Sequence, residues 1–413
     1  AHSFPTRRSS DLGEWFDADT GTVAPPVFQN TAFEHQEAQD LSDVFSGHAP
    51  GFIYSRISNP TVLQFERKVT ELEGGIGAVA CSSGMAAITC TLLALVQQGD
   101  TILSSSSLFG GTYALFTTTM KRMGIHVKFF DPAEPETLDR QIDDTVRVVF
   151  TETIGNPKMD VADIPALAAI AHRRGIPLVV DNTVTTTCLL RGAECDIDFI
   201  VHSASKYMDG HGRAVGGCVV DMGTANWNVE AYPQIMQYRE RYGPFAFLSM
   251  VRMELLANLG SCLAPANASI FLSGLETLSM RMEAHCDNAR ALADFLVQHK
   301  GVGNVRYPGL SGSLYHERAK DLFHGRYGGL LTLDAGDKAR AFNVIDRLKL
   351  TKNLANIGDV RTLVIHPAST IYLNFSPAQR ERMGVTPGLI RVSAGLEDAD
   401  DIVADFEKAL NRR

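Results

Sequence analysis

Lys206 lies in the stretch Val201-His202-Ser203-Ala204-Ser205-Lys206-Tyr207, where two serines one residue apart precede it. An apolar run over 197–201, broken only by Asp198, leads in, and a glycine-rich segment over 210–217 leads out. Lysine is seldom buried without a reason. Held in an apolar pocket it has a depressed pKa and serves as a nucleophile or an imine-forming amine. On these seven residues alone, a strand ending in a solvated turn lysine is the better reading.

Other chemistry-bearing residues sit at comparable places. Asp181 ends the apolar run 178–180, and a carboxylate there needs a partner. Ser82-Ser83-Gly84-Met85 stands between an apolar strand over 78–81 and an apolar helix over 86–96. Small residues at such a turn let backbone N–H groups approach an anion, and the helix dipole favours a phosphate. A plain tight turn fits Ser83-Gly84 too, and an Asx turn into Asn182-Thr183 fits Asp181.

The elements that must position these groups alternate. Strands are expected over 101–104, 126–130, 147–151, 177–180, 199–202 and 217–220, with helices over 111–123, 135–142 and 164–173 between them. Asn59-Pro60 reads as an N-cap and first helical residue ahead of a helix whose apolar face is Val62, Phe65, Val69 and Leu72. The fold class is α/β, a mostly parallel sheet covered by helices on both faces. Ligands of such sheets lie beyond the carboxyl ends of the strands, where Ser83, Gly84, Glu152, Asn156, Asp181, Ser203 and Lys206 all fall. Past residue 222 the texture changes. Long helices over 245–263 and 275–299, strands over 329–333 and 389–393, and helices over 338–348 and 402–410 form a smaller C-terminal α+β domain. The expected division is a non-native leader (1–12), an N-terminal arm (13–58), a large domain (59–258) and a C-terminal domain (259–413).

Composition narrows the partners. A net charge of −9 argues against nucleic acid or an anionic membrane surface. No apolar run reaches the roughly 20 residues of a membrane helix. Seven scattered cysteines, an odd number, read as reduced thiols of a cytoplasmic protein, not as a disulfide frame or a zinc site. The remaining set is coherent. Lys206 forms an imine with an aldehyde, Asp181 pairs with a pyridinium nitrogen, and Ser203, Ser205 and the amides of Gly84 and Met85 hold a phosphate. Those are the requirements of pyridoxal 5'-phosphate.

Six stretches then resemble the cysteine/methionine metabolism family of pyridoxal-phosphate enzymes, nearest its O-acetylhomoserine sulfhydrylase branch. They are Tyr54 to Thr61, Ser82 to Ala87, Glu152 to Pro157, Asp181 to Thr183, His202 to Tyr207 and Ile390 to Glu397. The resemblance implies fold-type I and a role for each matching residue. Lys206 carries the cofactor and shuttles protons, and Asp181 pairs with the ring nitrogen. Ser83, Gly84, Met85, Ser203 and Ser205 bind the phosphate. Tyr54 and Arg56 reach a neighbouring subunit's site in a homotetramer built as a dimer of dimers. Arg391 clamps the substrate carboxylate, with Asn156, Asn356 and Tyr54 beside the substrate. Phe109 stands where many relatives carry a ring-stacking tyrosine, so it lacks a hydroxyl to protonate a leaving group. Gly111 stands where methionine γ-lyases carry cysteine, and Asn356 where many relatives carry serine. His366 reads as a strand-end residue. The implied activity is γ-replacement on an O-acyl-homoserine, acetyl ahead of succinyl, with sulfide or a small thiol, giving homocysteine or methionine. Methionine γ-lyase, cystathionine γ-synthase and a non-catalytic cofactor-binding protein are the alternatives.

Overall fold

Seven apolar runs become one sheet: β1 (Gly77–Cys81), β2 (Thr101–Ser105), β3 (His126–Phe130), β4 (Val146–Glu152), β5 (Leu178–Asp181), β6 (Phe199–His202) and β7 (Gly217–Asp221). The computed structural model describes residues 21–132 and 134–411; the leader expected over 1–12 and the start of the arm lie outside the described residues. The strand order is β1-β7-β6-β5-β4-β2-β3. β7 runs against both its neighbours, and the other pairings are parallel. Side chains alternate faces along a strand. Val180, Ile200 and Val220 therefore enter one core and Val179, Phe199, Val201 and Val219 the other. Both faces are buried, which is why these strands read as continuous apolar runs.

A second sheet follows, ordered β10-β11-β12-β9-β8. Its strands are β8 (Asn304–Arg306), β9 (Leu330–Asp334), β10 (Lys352–Asn353), β11 (Leu363–Ile365) and β12 (Leu389–Ser393). His366 follows β11, with Nδ1 2.8 Å from the Ser369 hydroxyl and Nε2 2.8 Å from the Pro387 carbonyl. It is a strand-end residue spent on local contacts.

Several helices depart from expectation, each for a local reason. Pro233–Tyr242 is helical although no periodic apolar stripe marks it, because Ile235 is its one buried residue. The helix expected to reach 263 ends at Leu259, where Gly260 turns left-handed (φ 72°). The chain then doubles back, and the Ser82 N–H donates to the Ser261 carbonyl at 2.7 Å. The helix expected over 275–299 is present as Leu278–Gln298, and a further helix, Pro265–Glu276, directly precedes it. Arg281 is buried and donates to the carbonyls of Tyr207 and Gly274, both at 2.7 Å. A Cβ at Gly274 would overlap the Met208 carbonyl. The break at Thr277 thus docks both helices onto the turn that carries Lys206. The helix expected over 135–142 shrinks to Glu136–Asp139.

The helix Pro60–Glu73 is capped as its sequence demands: the Asn59 side chain accepts from the Thr61 N–H at 3.0 Å, and Pro60 takes the first position. It packs on Pro265–Glu276 through Phe65 and Phe271, both fully buried with ring centroids 5.4 Å apart. Truncating such a residue removes transfer energy and leaves a cavity. Phe271→Ala is therefore expected to cost about 3–5 kcal/mol in urea unfolding; a loss below about 1 kcal/mol would contradict this packing.

Candidate active site

Three neighbouring strands deliver polar residues to one end of the large sheet. β4 closes on Glu152, β5 on Asp181 and β6 on His202, with Glu152 in register with Asp181 and Asp181 with Val201. Beyond them lies a cavity of about 440 Å³. Ser83, Gly84, Met85, Phe109, Asn156, Asp181, Ser203, Ser205, Lys206, Asn356 and Arg391 all line it, brought together from both sheets.

At one side of the cavity is an anion cradle. The helix Gly84–Leu95 starts there, and the Ser83 hydroxyl accepts from the Ala86 N–H at 3.0 Å. This leaves the amides of Gly84 and Met85 at the positive end of a helix dipole. Glycine is required by space. A Cβ at Gly84 would lie 2.6 Å from the Ser203 Cβ, and one at Gly217 would lie 2.5 Å from the Ser83 carbonyl oxygen. Ser203 stands against Gly84, while Ser205 is committed elsewhere: its hydroxyl accepts from the Gly216 N–H at 2.9 Å and donates to the Gly216 carbonyl at 3.1 Å. The Ser83 hydroxyl accepts the helix-cap bond and keeps its O–H donor for an anion.

Asp181 does both things its sequence allows. Its Oδ1 accepts from the Thr183 N–H at 2.9 Å, closing the Asx turn, and its carboxyl still faces the cavity. Burial raises its pKa, opposed by the Thr183 hydrogen bonds and by nearby His202. Among the described residues no cation forms an ion pair with this carboxylate, and a protonated ring nitrogen would supply one. Thr183 also accepts the Ser203 N–H on its hydroxyl at 2.8 Å, tying the Asp181 turn to the Lys206 turn. Behind them is a buried polar knot. Glu73 lies 2.6 Å from the His202 Nε2, accepts from the Asn182 side chain at 3.1 Å, and accepts from the Gly192 N–H at 2.8 Å.

Lys206 Nζ donates to the Asn356 side-chain oxygen at 2.6 Å. Burial first, and then the charge of Arg391, push its pKa down to about 8. Arg391 is buried and donates to the Asn156 side-chain oxygen at 3.3 Å and to the Asn356 carbonyl at 3.0 Å. Burial lowers its pKa to about 10. Among the described residues neither cation forms an ion pair with a carboxylate. A buried guanidinium facing two amide oxygens is suited to an incoming carboxylate, which it grips with two parallel N–H groups.

Tyr54 and Arg56 are not among the residues lining this cavity. Tyr54 is 40% exposed, the Arg56 guanidinium sits 5.6 Å from its ring, and Arg56 Nη1 donates to the Ala257 carbonyl. Within one chain these two residues and the cavity are separate. Glu152, Thr183 and Arg213, to which neither residue pattern nor resemblance assigns a role, also line it. Asn182-Thr183, directly after Asp181, was the available signal for Thr183. The donor set, the glycine cradle and the orphan carboxylate together fit pyridoxal phosphate.

Comparison with known proteins agrees with this chemistry. The family model of the Cys/Met metabolism PLP-dependent enzymes matches residues 11–411. The chain is 40% identical to the homocysteine synthase of Schizosaccharomyces pombe, over 96% of each chain. It is also 40% identical to the O-acetyl-L-homoserine sulfhydrylase of Corynebacterium glutamicum, over 97% of this chain and 95% of the other. A crystal structure from Campylobacter jejuni, described as an O-acetylhomoserine (thiol)-lyase with N'-pyridoxyl-lysine-5'-monophosphate, superposes with a TM-score of 0.94 at 33% identity, over 98% of this chain and 100% of that one. The α/β fold with its strand-end lysine, acid and anion cradle thus has a family, and this chain belongs to the Cys/Met metabolism PLP-dependent enzymes.

Proposed function

We propose that the chain catalyses γ-replacement on O-acetylhomoserine, exchanging the acetate for sulfide or a small thiol to give homocysteine or methionine. The observation that carries this reading is Arg391, a buried guanidinium held by amide oxygens in the same cavity as an uncharged-prone lysine. That pair suits a substrate with one α-carboxylate and one acidic α-proton. When bound, pyridoxal phosphate supplies the electron sink that makes the α-proton removable. Ser203 and the amides of Gly84 and Met85 would hold its phosphate, Asp181 would keep its ring nitrogen protonated, and Lys206 would anchor it.

The chain's own residues account for the rest. Arg391 and Asn156 orient the amino acid by its carboxylate. Lys206 Nζ, with a pKa near 8, takes up and returns protons at the substrate α- and β-carbons close to neutral pH. Asn356 holds that amine on the cavity side through its 2.6 Å contact. Phe109 covers one wall without offering a proton. That omission suits a carboxylate leaving group, which departs unprotonated, better than a thiol. Gly111 belongs to the same device, because a Cβ there would lie 2.5 Å from the Phe109 ring. A side chain at 111 would displace the ring, so the cysteine of the methionine γ-lyases does not suit this arrangement. The sulfhydrylase and homocysteine synthase relatives support the same substrate class.

The reading extends to assembly and setting. Tyr54 and Arg56, held away from their own cavity, are assigned to the site of a second subunit in a homotetramer. The 59–258 and 259–413 division places one sheet in each domain, with Arg391 and Asn356 brought to the cavity by the smaller one. Seven free cysteines suit the reducing cytoplasm. No helix among the described residues is long and apolar enough to cross a membrane.

Two experiments test this reading. In cofactor-free protein, the folded-state pKa of Lys206 is depressed, so its neutral, reactive form gains population at lower pH than that of other lysines. Labelling with an amine-reactive probe should be half-maximal at Lys206 near pH 8, against about pH 10 for surface lysines; co-titration with the surface set would contradict the desolvated site. Incubating holoenzyme with O-acetylhomoserine and sulfide should yield homocysteine and acetate in equal amounts. If 2-oxobutyrate and ammonia instead accumulate at the same rate without sulfide, the enzyme is a lyase and the replacement reading falls.

A further inference from the structure

Glu152 closes β4 inside the cavity, yet none of the roles above falls to it. It is only 6% exposed, and its Oε1 accepts the Phe109 backbone N–H at 2.6 Å. Phe109 immediately precedes the short helix Gly110–Ala114, so this amide has no helical carbonyl to bond. The same segment is fastened from the second sheet's side. The Tyr372 hydroxyl lies 3.2 Å from the Leu108 carbonyl and 2.7 Å from the Asn156 carbonyl. The Phe109 ring rests over Gly111, where a Cβ would meet it. The Phe109 carbonyl accepts from the Tyr113 N–H at 3.0 Å inside the helix that follows, so Glu152 is the partner that ties the Phe109 backbone to the large sheet.

The charge of Glu152 is a separate question. Among the described residues no Lys or Arg pairs with it. Asp181 faces it in register, with Asp160 and the Tyr372 hydroxyl also near, and burial foremost, then Asp181, raise its pKa well above the usual carboxyl range. A buried carboxylate without a cation is costly, whereas a neutral acid with one hydrogen bond is not. Two adjacent carboxyl groups in one cavity divide the work when their environments differ. Asp181 has the Thr183 donors that favour an anion; Glu152 has one amide.

We propose that Glu152 is a positioning residue that, uncharged, holds the Phe109 backbone and so sets the ring of Phe109 against the bound cofactor. This rests on the reading that the cofactor ring lies beside Phe109. The site needs the reach and the acceptor oxygen of residue 152, not its negative charge.

Two substitutions separate reach from charge. Glu152→Gln keeps the reach and the acceptor and is neutral. Glu152→Asp keeps the ionisable group and is one methylene too short. Hydrogen–deuterium exchange on the full-length holoenzyme, followed by mass spectrometry of the peptide containing Phe109, reads the hydrogen bond directly. In Glu152→Asp the Phe109 amide should exchange about tenfold faster or more, as a local opening would give. The same variant should lose about tenfold in kcat with KM little changed, the signature of a misplaced group rather than lost binding. Glu152→Gln should keep the wild-type protection and recover most of the turnover that Glu152→Asp loses. Wild-type protection in Glu152→Asp, or a Glu152→Gln variant that exchanges as fast as Glu152→Asp, would overturn the proposal. The exchange measurement stands even if the wild-type enzyme makes no homocysteine, so failure of the substrate assignment is told apart from failure of this one.

Discussion

Lys206 and Arg391 share one cavity, and among the described residues neither forms an ion pair with a carboxylate. Lys206 and Arg391 meet there on amide oxygens, Lys206 on the Asn356 side chain and Arg391 on Asn156 and on the Asn356 carbonyl. Burial first, and then the charge of Arg391, depress the pKa of Lys206, and Lys206 yields because an amine gives up its proton more readily than a guanidinium. The arrangement has two consequences. It leaves a lysine able to accept a proton near neutrality, and it leaves a guanidinium in want of a carboxylate. Asn356 serves both, by its side chain and by its backbone.

The rest of the molecule keeps that pair in place. The Lys206 turn is held by Arg281, which reaches Tyr207 from the far side of a helix break. It is also held by Thr183, which binds the Ser203 amide. Beneath it, the Glu73 carboxylate gathers His202, Asn182 and Gly192, fixing the turns after β5 and β6 together. Such a fully bonded polar knot rigidifies where an apolar core would only fill space. Arg391 is set by its strand, β12, which pairs with β9 and β11 in the second sheet. The geometry of the site therefore depends on how the two sheets are docked, and Phe271, Gly274 and Arg281 lie in that docking.

How much of this was legible in the sequence follows from what each feature looks like locally. Strands buried on both faces write themselves as apolar runs, so the large sheet could be read, and helix Ile164–Arg173 appears as expected. Pro233–Tyr242 buries one side chain and left no stripe to read. β8, β10 and β11 have two or three residues each, too few for a period. The helix break at Thr277 is decided by contacts with the Lys206 turn, which no local pattern encodes. In the site, Lys206, Asp181 and Gly84 could be picked out as chemistry-bearing residue types at strand and helix ends, whereas Arg391, in the middle of β12, is marked only by the family resemblance. The Asn356–Lys206 contact spans 150 residues of sequence. Glu152 was visible at its strand end, but its partner is a backbone amide, which leaves no mark on residue type.

Lys206, rather than any other lysine, is the residue proposed to carry the cofactor. Reducing the holoenzyme with borohydride and mapping its tryptic peptides by mass tests it most directly. A single pyridoxyl-phosphate adduct is expected, on the peptide containing Lys206. An adduct on another lysine, or none in a protein that still binds pyridoxal phosphate, would contradict it.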